Sequence, residues 1–336
     1  TILTALLLAP LTALAGALSA AEAVTLEILE PAGRAGKVKD FPVSVGMVFL
    51  EGEVPVAPGG SVVDDLGNAI PFDWEVTGWW SLEKTSVKWL LLHFKASADR
   101  KYAFVPGAPP ALPQGRRLAV ESEGGIDVDT GPLGARLKAG NAPAFESVSL
   151  NGKPILEPGA SFFEMVDDEG CALVCEDWTL TLEENSPLRA VVRVEGAVGL
   201  PGNPPLAKLS VRYHFFAGEG FVRLYHTFIW MERSLEPGAN RIAVRLRPAL
   251  GRRRMVRVGL SAATNEAQQA AIGPESELVA YQDEAEHFTV RESGREVAAG
   301  KHLGGWIAVE GEDGRGVGVS LKNAWQTYPT TLAVRR

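Results

Sequence analysis

The chain is short of the residues that metal and redox centres use. Of its 336 residues only 2 are Cys and 5 are His. The cysteines sit in Cys171-Ala172-Leu173-Val174-Cys175 with no His nearby, which makes a poor zinc site. In an extended strand, residues four apart lie about 13 Å apart, beyond disulfide reach. A bridge would need a bend, so core packing is the expectation. Positive charge is also scarce: 33 Lys and Arg against 41 Asp and Glu leave a net charge of −8. That argues against nucleic acid, because phosphate binding relies on concentrated Lys and Arg. The run Arg252-Arg253-Arg254 is an exception that reads as an exposed turn or strand end.

Helical patterning is nearly missing, with Asn265–Ala271 the only clearly helix-friendly stretch. There is no P-loop or dinucleotide fingerprint, since Gly202-Asn203-Pro204 and Gly304-Gly305 lack the strand–helix context. Asp167-Asp168-Glu169 and Glu310–Asp313 lack the alternating ligands and terminal Glu of a calcium loop, so they read as solvated turns. The residues therefore indicate no cofactor and no metal ligand. Nor is there a repeat of fixed period or a low-complexity tract.

What the chain does have is length for two domains, 46% hydrophobic residues, and 36 Gly and 22 Pro spaced at short intervals. Such punctuation suits many turns between short strands. At the start, Ile2–Leu14 is an apolar run followed by Ala15-Gly16-Ala17 and Ala21-Glu22-Ala23, which fit the small-x-small cleavage rule. This predicts a signal peptide over residues 1–23, its charged leading region missing, and a periplasmic or secreted protein. The run is shorter than the roughly 20 apolar residues a membrane span needs, so no stable membrane span is expected. A first residue of Thr1 and a strand-like Thr331–Arg336 at the end predict a fragment of a longer protein.

Short runs rich in β-branched and aromatic residues follow one another from Val24 to Leu321, and the expected fold class is all-β. Val24–Leu29, Pro42–Val48, Gly60–Asp64, Ile70–Val76 and Val87–Lys95 form a first group. Trp89-Leu90-Leu91-Leu92 reads as a strand buried on both sides. Val105–Pro113 holds four prolines in nine residues, a stiff connector that places a domain boundary near residue 110. A second group, in residues 111–336, forms one large antiparallel domain. Asn151-Gly152 and Glu312-Asp313-Gly314 are hairpin turn signals.

The richest pair of runs is Leu206–Phe216 and Phe221–Trp230, joined by Ala217-Gly218-Glu219-Gly220. A hairpin through that turn sets Phe215, Tyr213, Val211 and Leu209 against Val222, Leu224, His226 and Phe228 on an apolar face. The other face pairs His214 with Arg223, Arg212 with Tyr225 and Ser210 with Thr227. Cross-strand neighbours sit about 5 Å apart, so Arg212, His214, Arg223 and Tyr225 share one patch. Two guanidiniums, an imidazole and a phenol suit an acidic ligand. The same residues also fit a solvated outer face, since antiparallel sheets commonly wet one side. His226 and His93 read as packed histidines, while His287 and His302 show no recognisable partner. Trp79 and Trp80 are adjacent, so at least one ring is expected to be exposed. They suit either sugar stacking or packing at a seam, with Lys84 and Lys88 nearby.

Pro42–Phe49, Val62–Pro71, Trp79–Leu82 and Ser86–Phe94, taken in order, resemble the N-terminal barrel of the exo-acting rhamnogalacturonan lyase family and its YetA-like bacterial relatives. The resemblance continues through Gly131-Pro132-Leu133, Ser186–Val192, Tyr213–Gly218, Val222–Phe228, Gly305–Val309 and Trp325–Pro329. It implies a small RIFT-type β-barrel, residues 24–110, followed by a large β-sandwich. It also implies an α/α toroid that these residues do not include. The implied activity is β-elimination on rhamnogalacturonan or pectin, dependent on the toroid, with an acidic polysaccharide as partner. In that chemistry Arg212 and Arg223 would hold the uronate carboxylate, His214 and Tyr225 would serve as base and acid, and Trp79 and Trp80 would stack on sugar. The alternatives are a non-catalytic carbohydrate-binding or scaffolding β-module, and a structural cell-envelope protein.

Overall fold

The computed structural model describes residues 23–28, 38–140, 144–175, 178–231, 238–251, 254–264, 266–273 and 276–335. The predicted signal peptide up to residue 22, Arg252, Arg253 and Asn265 lie outside the described residues. Among the described residues every regular element is a strand and every strand pairing is antiparallel. The chain is all-β. It divides into two compact units after Gln114.

In the first unit one sheet runs in the order Val24–Leu26, Tyr102–Pro106, Gly60–Asp64, Ala69–Ile70. The other has Val87–Ala96 at its centre, between Phe41–Val48 and Phe72–Trp79. Alternate residues of both sheets point into one core. Val62, Phe72, Leu92 and Phe104 are fully buried there.

The second unit contains two apolar clusters rather than one. The larger is built by the sheet Thr179–Asn185, Arg189–Val198, Ala207–Phe216, Val222–Trp230, together with a five-stranded and a three-stranded sheet. Tyr213 and Phe215 lie at its centre, fully buried. The smaller cluster, around Val256, Leu278, Phe288 and Leu303, joins two further four-stranded sheets. The hairpin signal at Asn151-Gly152 is realised with φ of 50° and 75° at the two residues, the left-handed pair that a tight hairpin turn demands.

Several expectations change. The helix-friendly stretch is instead the strand Ala267–Ile272, paired with Arg254–Gly259. Its alternate residues Ala270 and Ile272 are buried, and this packing outweighs a weak local helix preference. Cys175 packs partly buried against the larger core, but Cys171 is exposed. Asp167 is not solvated: it is 2% exposed and accepts the N–H groups of Glu169 and Cys171 at 3.0 and 2.7 Å. Its carboxylate organises the turn internally, as Asp commonly does.

Candidate functional site

The hairpin has the expected register. Phe215 pairs with Val222, His214 with Arg223, Arg212 with Tyr225 and Val211 with His226. Gly218 takes φ of 74° in the turn, and Glu219 donates to the Phe216 carbonyl at 3.2 Å. The turn is pinned from outside, because Gly218 donates to the Thr130 carbonyl and the Thr130 hydroxyl donates to that of Glu219. With the inward residues Val211, Tyr213 and Phe215 fully buried, period-two alternation forces Arg212, His214, Arg223 and Tyr225 onto the outer face.

The neighbouring strands decide what each group can do. Arg193 on Arg189–Val198 lies opposite Arg212. In Thr179–Asn185 a register shift between Leu182 and Glu184 leaves Glu183 as the extra residue of a bulge. Its carboxylate accepts both nitrogens of the Arg212 fork, Nε at 2.6 Å and Nη2 at 3.0 Å, and lies 3.1 Å from Arg193 Nε. Arg212 was expected to clamp a ligand carboxylate. Its fork is already filled by a carboxylate of the protein. Arg189, 4% exposed, pairs with Glu184 at 2.8 Å.

Arg223 differs. Its guanidinium lies 5.3 Å above the Phe216 ring, and among the described residues no carboxylate forms an ion pair with it. Beside it, His214 meets the Tyr225 ring edge to face, with centroids 4.9 Å apart. Burial, and then the charges of Arg189 and Arg223, pull the His214 pKa down to about 4, so the imidazole is neutral at neutral pH. Tyr225 is 52% exposed. The patch thus presents one cation with no carboxylate partner among the described residues, one neutral imidazole and one accessible phenol. A carboxylate accepts bonds from guanidinium and phenol, and the imidazole accepts or passes a proton.

The two tryptophans fare less well. Trp79 ends the strand Phe72–Trp79 and packs against the core of the first unit. Trp80 is 38% exposed, but its Nε1 donates to the Phe49 carbonyl at 3.0 Å and Lys88 Nζ sits 4.5 Å from its ring centroid. One ring face is therefore taken. The openly displayed indole is Trp89, 48% exposed, within a run read from sequence as buried on both sides.

His93 is buried as expected, its Nδ1 2.8 Å from the Ser44 hydroxyl. His226 packs against Phe163 on the inner face. His287 does have a partner, Asp283 at 2.7 Å, and His302 stacks on Trp325 at 4.1 Å. The residues that sequence reasoning missed are Glu183, Arg189 and Arg193. The alternation Arg189-Val191-Arg193-Glu195 carried a signal for the two arginines, while a bulge placed Glu183. A half-open pocket of about 170 Å³ is lined by side chains that include Phe163, Met165, Leu173, Cys175, Trp178 and Leu209. Its lining carries no charge.

No family model matches the chain, and no curated protein matches it. Among solved structures it is similar to a protein in the glycosyl hydrolase family 38 from Enterococcus faecalis, at 12% identity and a TM-score of 0.47, over 89% of this chain and 39% of that one. An alpha-mannosidase from Enterococcus faecalis V583 is similar at 12% identity and a TM-score of 0.45, over 89% and 41%. The chain spans about two fifths of the length of these structures. At this identity and TM-score the likeness bears on neither family nor activity.

Proposed function

We propose that the hairpin face binds a carboxylate-bearing sugar, and that the chain is the β-domain portion of an exported polysaccharide lyase acting on rhamnogalacturonan or pectin by β-elimination. One observation carries this reading: Arg223 has no carboxylate partner among the described residues and stands beside a neutral His214 and the Tyr225 phenol. Arg223 would hold and polarise the uronate carboxylate, which acidifies the proton on the adjacent carbon. His214, already neutral, would accept that proton while the glycosidic C–O bond breaks. Tyr225 would protonate the departing oxygen. Arg212, held by Glu183, orders the patch rather than touching substrate.

A non-catalytic glycan-binding module is the second reading. It is favoured by the engaged Arg212 fork and by the placement of all four groups on a sheet face. The test compares de-esterified with fully methyl-esterified pectin and rhamnogalacturonan. Binding is followed by native affinity electrophoresis and turnover by the ultraviolet absorbance of the unsaturated uronate. Turnover lost in His214→Ala and Tyr225→Phe supports the lyase. With the toroid present, carboxylate-dependent binding without turnover supports the module. No dependence on the carboxylate would sink both.

A further inference from the structure

The first unit presents a second surface, and its chemistry differs. On the outer face of the sheet Phe41–Val48, Val87–Ala96, Phe72–Trp79, one cross-strand row is Val48, Trp89, Gly78 and the next is Gly46, Leu91, Glu75. Val48 and Trp89 are 60% and 48% exposed. A Cβ at Gly78 would stand 2.7 Å from Trp89 Cδ1 and 3.5 Å from its Cγ. The indole therefore leans across the glycine, with its far side turned to solvent. Covering a sheet glycine with an aromatic ring is a stabilising device in its own right.

That device does not explain the row beside it. Gly46 sits inside an eight-residue strand, where glycine weakens the strand and often marks close approach of a ligand. A Cβ there would meet nothing within 4 Å. The space next to the ring is kept open, with the exposed carboxylate of Glu75 and the exposed Ser44 at its border.

We propose that this face binds the ring of a neutral sugar. The apolar C–H face of a pyranose stacks on Trp89 and Val48, and its hydroxyls donate to Glu75 and exchange hydrogen bonds with Ser44. Charge selects the occupant: Glu75 accepts hydroxyl protons and repels a uronate carboxylate, whereas Arg223 of the second unit attracts one. The inference does not rest on the reading of the hairpin face.

Native affinity electrophoresis with soluble galactan, arabinan, xyloglucan and polygalacturonate tests it. At least one neutral polymer should retard the intact chain, and polygalacturonate should compete poorly. Trp89→Ala should weaken the retardation roughly three- to tenfold, the range expected for one aromatic contact. Gly46→Val supplies a variant that keeps the fold, because a Cβ there meets no atom within 4 Å and valine suits a strand. It should abolish binding with no fall in Tm. Retardation by polygalacturonate alone, by no polymer, or unchanged in both variants would overturn the proposal. So would self-association that Trp89→Ala dissolves, which would make the face a contact between two copies.

Discussion

His214 and Tyr225 meet edge to face across the hairpin, their ring centroids 4.9 Å apart and their planes at 66°, although neither is the other's direct strand partner. His214 faces Arg223 and Tyr225 faces Arg212. The diagonal contact brings a proton acceptor and a proton donor together, with a cation beside them. It also buries the imidazole, which sets the first prediction.

His214 should titrate near pH 4, followed by its ring proton resonances in NMR. Because the folded value lies below the ordinary 6.5, the unfolded chain takes up the proton first. The stability that neutral His214 contributes is full above about pH 6.5 and drains away as pH falls toward about 4. A turnover that uses His214 as base should show an acid limb in the same low range. An apparent pKa near 6.5 would mean that the imidazole is not buried.

Arg223→Ala should weaken binding of acidic oligosaccharides about tenfold or more, as the loss of a charged hydrogen-bonding partner does. Arg212→Ala should affect binding less, since its fork is spent on Glu183. Its half-exposed pair should contribute only about 0–1 kcal/mol to stability. Equal losses in the two variants, measured by calorimetric titration, would contradict the division of roles.

Tyr213→Phe should destabilise the second unit by about 1–2 kcal/mol, because the buried Ala144 carbonyl loses the hydroxyl that donates to it at 2.6 Å. Tyr213→Ala should cost about 3–5 kcal/mol by opening a cavity. Urea denaturation measures both, and neither change should alter the hairpin register.

Gly304→Ala should cost about 1–3 kcal/mol through overpacking. A Cβ there would lie 2.8–2.9 Å from the Cα, C and O atoms of Gly259, and backbone cannot step aside as a side chain does. Thermal melting should show a lower Tm, while the hairpin face keeps its glycan binding.

The strands and the hairpin register were legible because they rest on local rules. Gly218 and Gly220 bound the turn, and apolar residues recur at every second position, so one pairing buries Val211, Tyr213 and Phe215 together. The strands that escaped notice, such as Leu278–Glu284 and Ala267–Ile272, have weak local patterns. Leu278–Glu284 lies between the adjacent His287–Glu292 and the sequence-distant Thr330–Val334, and Ala267–Ile272 pairs with the preceding strand Arg254–Gly259 while sending Ala270 and Ile272 into the shared core.

The amino-acid sequence by itself determined an all-β chain and which residues share the outer face of the hairpin, because side-chain alternation along a strand has a fixed period. Tertiary structure decided which of those residues are chemically free. Glu183, 29 positions away, closes the Arg212 fork from a bulge, while Arg223 lies above Phe216 with no carboxylate partner among the described residues. The surroundings of His214 lower its pKa through burial and neighbouring cations. Likewise the bulged pairing at Gly78 and the open place at Gly46 display Trp89, while Trp79 turns inward and Lys88 covers Trp80. Exposure, charge pairing and desolvation depend on what long-range packing brings alongside a residue, and no local pattern encodes them.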